Sequence, residues 1–193
     1  MPPPTPRPLI VLTSGTPPSL ALTHTLRRHT LRTKSPLLLA ITRAANLNSV
    51  VVSAFNVTVA EGEGVDEEGE DGEGEGSLMA RHVGNVDSMV EVLRDVDGVW
   101  DLVVDLDTTQ LGTDEEAERE AEKEIQSRLI SGTGFTSTDG NTIVFITSTA
   151  AHLDEEARRE VDPAWRGVRV KWVDGGSVRA DGGVGVVSLL NSV

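Results

Sequence analysis

The chain lacks tyrosine and cysteine entirely, and aromatic residues make up only 3% of its 193 residues. The absence of cysteine excludes disulfides, thiolate zinc sites and cysteine nucleophiles. The absence of tyrosine excludes a phenol as a proton-transfer group. No apolar run approaches the ~18 residues that a membrane helix requires, and the first residues lack the features of a signal peptide. We therefore expect an intracellular protein, cytoplasmic or nuclear, without a membrane partner.

The chain is acidic, with a formal net charge of −14, but much of that charge lies in one segment. Residues 61–76 hold nine carboxylates and six glycines, and removing those nine negative charges from −14 leaves −5. Because such a segment repels itself and has little to bury, we predict a disordered acidic insertion at residues 61–77. It interrupts a single domain that spans residues 1–193. The acidity, without a basic stretch interleaved with aromatic residues, argues against a nucleic-acid partner.

Apolar runs and helical patterns alternate along the chain. Strands are predicted at residues 8–13, 37–41, 50–55, 100–106, 142–147, 168–173 and 184–190. Helices are predicted from residue 19, at 86–93, at 114–130 and at 154–161. This alternation predicts an α/β fold, a Rossmann-like three-layer domain with a mainly parallel sheet of about six or seven strands.

The second and third predicted strands are joined by residues 42–49, which are too few for a helical crossover. We expect that a helix has been lost there, with an antiparallel hairpin as the alternative.

The turn after the first strand, residues 14–19, is a candidate phosphate loop. It has one glycine, Gly15, and two prolines, Pro17 and Pro18, which have no N–H to donate. It matches neither the P-loop pattern nor the dinucleotide-binding pattern. We therefore predict a structural turn, with Ser19 capping the helix that follows, and at most weak anion binding.

Asp105 and Asp107 lie at the carboxyl end of the fourth predicted strand, in the run Asp-Leu-Asp-Thr-Thr. This run resembles the nucleophile motif of haloacid-dehalogenase-like phosphatases, and the resemblance implies that the two carboxylates bind magnesium and attack phosphorus. Thr147, Lys171 and Asp174 follow in a compatible order. That family begins with the motif, whereas about 100 residues precede it here. The alternative is a strand end with ordinary polar residues, and the four histidines show no zinc-ligand spacing.

Several strand ends, taken in chain order, resemble those of the short-chain dehydrogenase/reductase family. The matches are Thr13, Ile41 to Leu47, Val50 to Thr58, Trp100 to Val104, Ile143 to Ala151 with Ser148, and Gly167 to Val178. The resemblance implies that Thr13 and Gly15 lie at the cofactor, that Arg43 meets the 2′-phosphate of NADP, and that Ser148 takes the place of the catalytic serine.

The chain departs from that family at its two functional motifs. Pro17 and Pro18 replace the glycine-rich loop, and the tyrosine-lysine pair that transfers protons is missing. Ser148 alone is too weak an acid for this step. We therefore expect a catalytically inactive relative that acts as a binding or scaffolding subunit for other protein subunits, with NADP as a weakly bound ligand at most. Two alternatives stay open: an unrelated interaction subunit with a RecA-like core lacking its phosphate loop, and a magnesium-dependent phosphohydrolase.

Overall fold

The computed structural model describes residues 6–61, 76–96, 98–107, 114–132, 140–147 and 169–192. Its strands are β1 (Leu9–Thr13), β2 (Leu37–Ile41), β3 (Leu78–His82), β4 (Asp101–Asp105), β5 (Thr142–Thr147) and β6 (Arg169–Asp174). Its helices are α1 (Pro17–Thr33), α2 (Leu47–Glu61), α3 (Val86–Asp95), α4 (Glu115–Gly132), α5 (Gly175–Asp181) and α6 (Val184–Asn191). A 3₁₀ turn, Ala44–Asn46, leads into α2.

The six strands form one parallel sheet in the order β3-β2-β1-β4-β5-β6. This is the strand order of the Rossmann fold, so the predicted α/β Rossmann-like domain is confirmed. Strand β1 pairs with β2 on one side and with β4 on the other, in a register that places Thr13 beside Ile41 and Asp105. The chain reverses its direction of winding at β1, which makes the β1/β4 boundary the switch point where ligands of such sheets bind.

Both faces of the sheet are covered, as a parallel sheet requires. On one face, Leu22, Leu26 and Val50 of α1 and α2, with residues of α5 and α6, form an apolar cluster against Leu9 and Val11. On the other face, residues of α3 and α4 form a second cluster against the alternate residues of the same strands. Strand β1 is buried along its whole length, which explains its unbroken apolar sequence. The molecule therefore has three layers.

The predicted third strand, residues 50–55, is wrong, because these residues lie in helix α2. Their β-branched side chains favour a strand, but Val50, Ala54 and Val57 recur at helical spacing and all three are buried. Helix α2 is thus the crossover from β2 to β3. We expected that a helix had been lost at this joint, but α2 is present. The alternative, an antiparallel hairpin, is also wrong, because β2 and β3 are parallel.

The true third strand, Leu78–His82, is an edge strand, and most of its residues are exposed. Its weak apolar pattern gave no strand signal. The predicted seventh strand is also wrong: residues 184–190 form helix α6. Helix α1 begins at Pro17 with Thr16 as its cap, so Ser19 is not the cap and the two prolines are not part of the turn. Proline is favoured at the first position of a helix because no intrahelical bond needs its N–H.

The other predicted strands are confirmed within two residues at each end, and the helices at 86–93 and 114–130 are confirmed as α3 and α4. The predicted helix at 154–161 and residues 62–75 of the predicted insertion lie outside the described residues. At the edges of that insertion, Glu61 is the last residue of α2, and the carbonyl of Ser77 accepts a hydrogen bond from the Leu37 N–H at 2.8 Å. Among the described residues, no helix is long and apolar enough to cross a membrane.

Candidate functional site

A cleft of about 700 Å³ lies over the carboxyl ends of the central strands. Its walls come from the start of α1, the end of β4, the first half of α4, and the junction of β6 with α5. We call it the acidic cleft, because its lining includes six carboxylate residues and two arginines: Asp105, Asp107, Glu115, Glu118, Glu122, Asp174, Arg119 and Arg179. It lies next to the switch point, where α/β sheets bind ligands, but its charge disfavours phosphate groups.

Asp105, the last residue of β4, is a half-buried carboxylate at the central sheet edge. Burial raises the pKa of this carboxyl, and the neighbouring Asp107 raises it further. A hydrogen bond with the Ser19 side chain and the charge of Arg179 act in the opposite direction, but burial dominates. Asp105 therefore holds a proton more tightly than an ordinary aspartate does.

Glu122, on the second turn of α4, is a second carboxyl with an altered proton affinity. Burial raises its pKa, and a hydrogen bond with the Thr147 side chain partly offsets the rise. The same threonine hydroxyl accepts a hydrogen bond from Gln126 Nε2 at 3.4 Å, and Gln126 Oε1 accepts one from Trp172 Nε1 at 3.0 Å. This chain of contacts ties α4 to the ends of β5 and β6. Glu122 lies in the helix that the sequence predicts at residues 114–130, but no motif marks it as a site residue, so its place in the cleft was missed.

Strand β1 meets α1 at residues 14–19, which comprise a loop (residues 14–16) and the first three residues of α1, and we call this region the phosphate corner. Gly15 has φ +67° there, and a Cβ added to it would lie 2.7 Å from Val50 Cγ2 and 3.1 Å from Asn46 Cβ. The side-chain amide of Asn46 donates a hydrogen bond from Nδ2 to the carbonyl of Ser14 at 2.8 Å. In a dinucleotide site, glycine lets the backbone approach the pyrophosphate. Here the side of Gly15 on which a Cβ would lie is occupied by Val50 of α2 and by Asn46 of the preceding 3₁₀ turn.

Several of the backbone donors that a phosphate would need at this corner are missing or engaged. Pro17 and Pro18, the first two residues of α1, have no N–H. The Ser19 N–H donates to the Thr16 carbonyl at 2.9 Å, and the Gly15 N–H donates to Thr13 Oγ1 at 3.0 Å. Anion binding at a helix N-terminus depends on such groups pointing at the ligand. The corner therefore offers a phosphate few free backbone donors.

Arg43, to which the dehydrogenase resemblance assigned the NADP 2′-phosphate, pairs with Asp107. Its guanidinium donates to Asp107 Oδ2 at 3.2 Å, and the Asp107 N–H donates to Ser14 Oγ at 2.8 Å. Two residues singled out for different functions are thus each other's partners across the ends of β2 and β4. Thr13 is buried, with its hydroxyl engaged by Gly15.

The structure brings most of the predicted site residues to one edge of the sheet. Thr13, Gly15, Arg43, Asp105 and Asp107 all lie at or next to the carboxyl ends of β1, β2 and β4. Ser148, the residue matched to the catalytic serine, lies outside the described residues. The edge is therefore shared by groups from both functional hypotheses.

The later residues of the phosphatase-like pattern are engaged elsewhere or act as caps. Lys171 Nζ donates to the Leu189 carbonyl at 3.0 Å and to Ser192 Oγ at 2.6 Å, which holds it at the end of α6. Asp174 caps α5 by accepting from the Ser177 N–H at 3.1 Å. Within the described part of the chain, no three His, Asp or Glu side chains are arranged to hold a metal ion.

No protein-family model matches the chain, and no curated protein is significantly similar to it in sequence.

Proposed function

We propose that the chain is a catalytically inactive Rossmann-like subunit, akin to short-chain dehydrogenases, that binds other protein subunits and has at most weak affinity for NADP. The observation that carries this proposal is the phosphate corner. The fold supplies the place where a dinucleotide would bind, but Pro17 and Pro18 remove two backbone donors and α2 fills the space beside Gly15.

The chemistry of the cleft supports the same conclusion. Hydride transfer to a carbonyl needs a group that donates a proton to the developing alkoxide, and the chain has no tyrosine for that role. The nicotinamide cofactor would also bring phosphates toward a lining with six carboxylates and two arginines. Both effects disfavour an NADPH-dependent reaction.

Turnover measurements test the proposal. Purified protein with NADPH and a panel of aldehydes and ketones is expected to consume no more cofactor than a protein-free control. Consumption that requires the protein and disappears in Ser148→Ala would overturn the proposal, because that residue matches the family's catalytic serine. The RecA-like alternative assigns the chain the same role in protein binding and predicts the same negative result.

A magnesium-dependent phosphohydrolase is a second candidate, because Asp105 and Asp107 both line the acidic cleft. It predicts magnesium-dependent release of phosphate from a generic ester, lost in Asp105→Asn and kept in Glu91→Gln, an exposed carboxylate on α3. The pairing of Asp107 with Arg43 opposes it, since the Arg43 guanidinium competes with a metal ion for this carboxylate. Absence of such release would retire this candidate.

A further inference from the structure

Helix α2 presents an uncharged face to solvent. Val52, Phe55 and Val59 recur at spacings of three and four residues, and they are 57%, 58% and 53% exposed. The remaining exposed residues of this face are small or neutral: Asn48, Ser49, Asn56 and Ala60. The opposite face of α2 is buried against the sheet through Val50, Ala54 and Val57. Helix α2 is therefore apolar on two sides, one of which has no partner within the described part of the chain.

The charge of this face differs from that of the rest of the molecule. A quarter of all residues are charged, yet α2 holds one charged residue, Glu61, at its last position. The Glu61 carboxylate lies 3.0 Å from Arg28 Nε of α1, which offsets its charge. A partner that recognised acidic groups would find none on the middle of α2. The face fits a partner surface that is itself uncharged and apolar.

A second copy of the same face meets this requirement, and the order of its side chains makes it self-complementary. The stripe reads Val52, Phe55, Val59, and Phe55 lies one residue from the midpoint of Leu47–Glu61. When two such helices run antiparallel across a two-fold axis near Phe55, Val52 of each copy faces Val59 of the other. A two-fold interface uses the same patch on both subunits, as this arrangement does.

We propose that α2 pairs with α2 of a second copy, antiparallel, about a two-fold axis near Phe55, so that the chain forms a homodimer. This arrangement places Glu61 of each copy beside the first turn of the other α2, where the helix dipole favours a carboxylate. A parallel pair would instead bring the two Glu61 side chains together. The proposed dimer does not depend on the inactive binding role, since it rests on α2 and not on the phosphate corner. NADP binding and dimerisation are measured separately.

The size of the interface sets how tightly the dimer holds. A helix of 15 residues is ~22 Å long, and the contact of two such helices lies at the low end of stable protein interfaces. We therefore expect a dimer that dissociates on dilution through roughly micromolar concentrations.

Sedimentation or light scattering over a range of concentrations tests the assembly. The wild type is expected to approach about 41 kDa, twice the chain mass of 20.6 kDa, and Phe55→Glu is expected to remain at 20.6 kDa. Val184→Glu is the matched control, because Val184 is 63% exposed on α6 and its substitution is expected to leave the dimer unchanged. Circular dichroism establishes that each variant is folded. A wild type that stays monomeric, or a dimer that survives Phe55→Glu, would overturn the proposal.

Disulfide trapping tests the geometry, and the natural absence of cysteine keeps the background clean. In the antiparallel pair, two copies of residue 52 are offset by ~10.5 Å along the helix axis, beyond the ~7 Å limit between Cα atoms in a disulfide. Val52→Cys alone and Val59→Cys alone are therefore expected to stay uncrosslinked, and an equimolar mixture is expected to form disulfide-linked heterodimers. Crosslinking of Val52→Cys with itself, or no crosslink in the mixture, would contradict the antiparallel arrangement.

Discussion

The carboxyl edge of the sheet has two halves that differ in what fills them. At the phosphate corner, between β2 and β1, Asn46 and Val50 contact the loop, and several backbone donors are engaged or missing. At the acidic cleft, over β4, β5 and β6, the described residues form a cavity of about 700 Å³ lined with carboxylates. Both halves belong to one Rossmann sheet with regular parallel pairing. The difference shows that the fold supplies a location for a ligand, while a few side chains beside the strand ends decide what that location can hold.

The largest effect is expected from Gly15→Ala, which adds a Cβ where Val50 and Asn46 pack against the phosphate corner. The new Cβ would lie 2.7 Å from Val50 Cγ2, in a residue whose φ is +67°. Strain and overpacking together are expected to lower the free energy of unfolding by about 2–4 kcal/mol. Urea denaturation monitored by circular dichroism measures this loss.

Gly98→Ala is the matched control for that substitution. Gly98 also has a positive φ, +83°, but a Cβ there would meet no atom within 4 Å. Only the backbone strain remains, so the expected loss is about 1–2 kcal/mol. If both variants lost the same free energy, α2 would not be filling the corner as described.

A smaller effect, dependent on pH, is expected from Asp105→Asn in the acidic cleft. Burial raises the pKa of Asp105 in the folded state. The free energy of unfolding is therefore lowered at pH values where Asp105 is ionised in the unfolded chain. The penalty is absent below the ordinary aspartate pKa of 3.8 and grows as pH rises from there through the raised value. At neutral pH the variant is expected to be more stable than the wild type by about 0.5–1 kcal/mol, and this gain disappears on acidification.

Denaturation of both proteins at a series of pH values measures that difference. Glu91→Gln, which removes one carboxylate from the exposed face of α3, is the control for the loss of a single negative charge. If the stability of Asp105→Asn relative to the wild type instead rose on acidification, this account would be contradicted. The ionised Asp105 carboxylate would then be stabilised by its surroundings in the folded state.

The sequence predicted the fold class because most strands in the middle of the sheet are continuous apolar runs. It misplaced the third strand, since the β-branched residues of α2 outweighed the helical spacing of Val50, Ala54 and Val57. The edge strand Leu78–His82 was missed because an exposed edge needs few apolar residues.

In the candidate site, the positions of Asp105 and Asp107 at the edge followed from where their strand ends. The Arg43–Asp107 pair and the approach of Val50 to Gly15 did not, because both join residues far apart in the chain.

A still smaller effect is expected from Arg43→Ala, which removes the ion pair at the boundary between the two halves. The Arg43 and Asp107 side chains are 36% and 25% exposed, so solvent screens their attraction. The expected loss is ~0.5 kcal/mol or less, within the range of exposed pairs. Thermal unfolding of the variant beside Arg32→Ala, an exposed arginine near the end of α1, checks this. A loss of several kcal/mol would mean that the pair organises the whole edge.

The most direct test of the filled phosphate corner is the thermal unfolding of wild-type protein with NADP, compared with NAD and with buffer alone. A ligand at a hundred times its dissociation constant stabilises a folded protein by ~2.7 kcal/mol, which shifts the melting temperature of a chain this size by several degrees. We predict no shift with NADP at concentrations up to about a millimolar. A rise of several degrees that Arg43→Ala abolishes would show that the corner binds the dinucleotide after all.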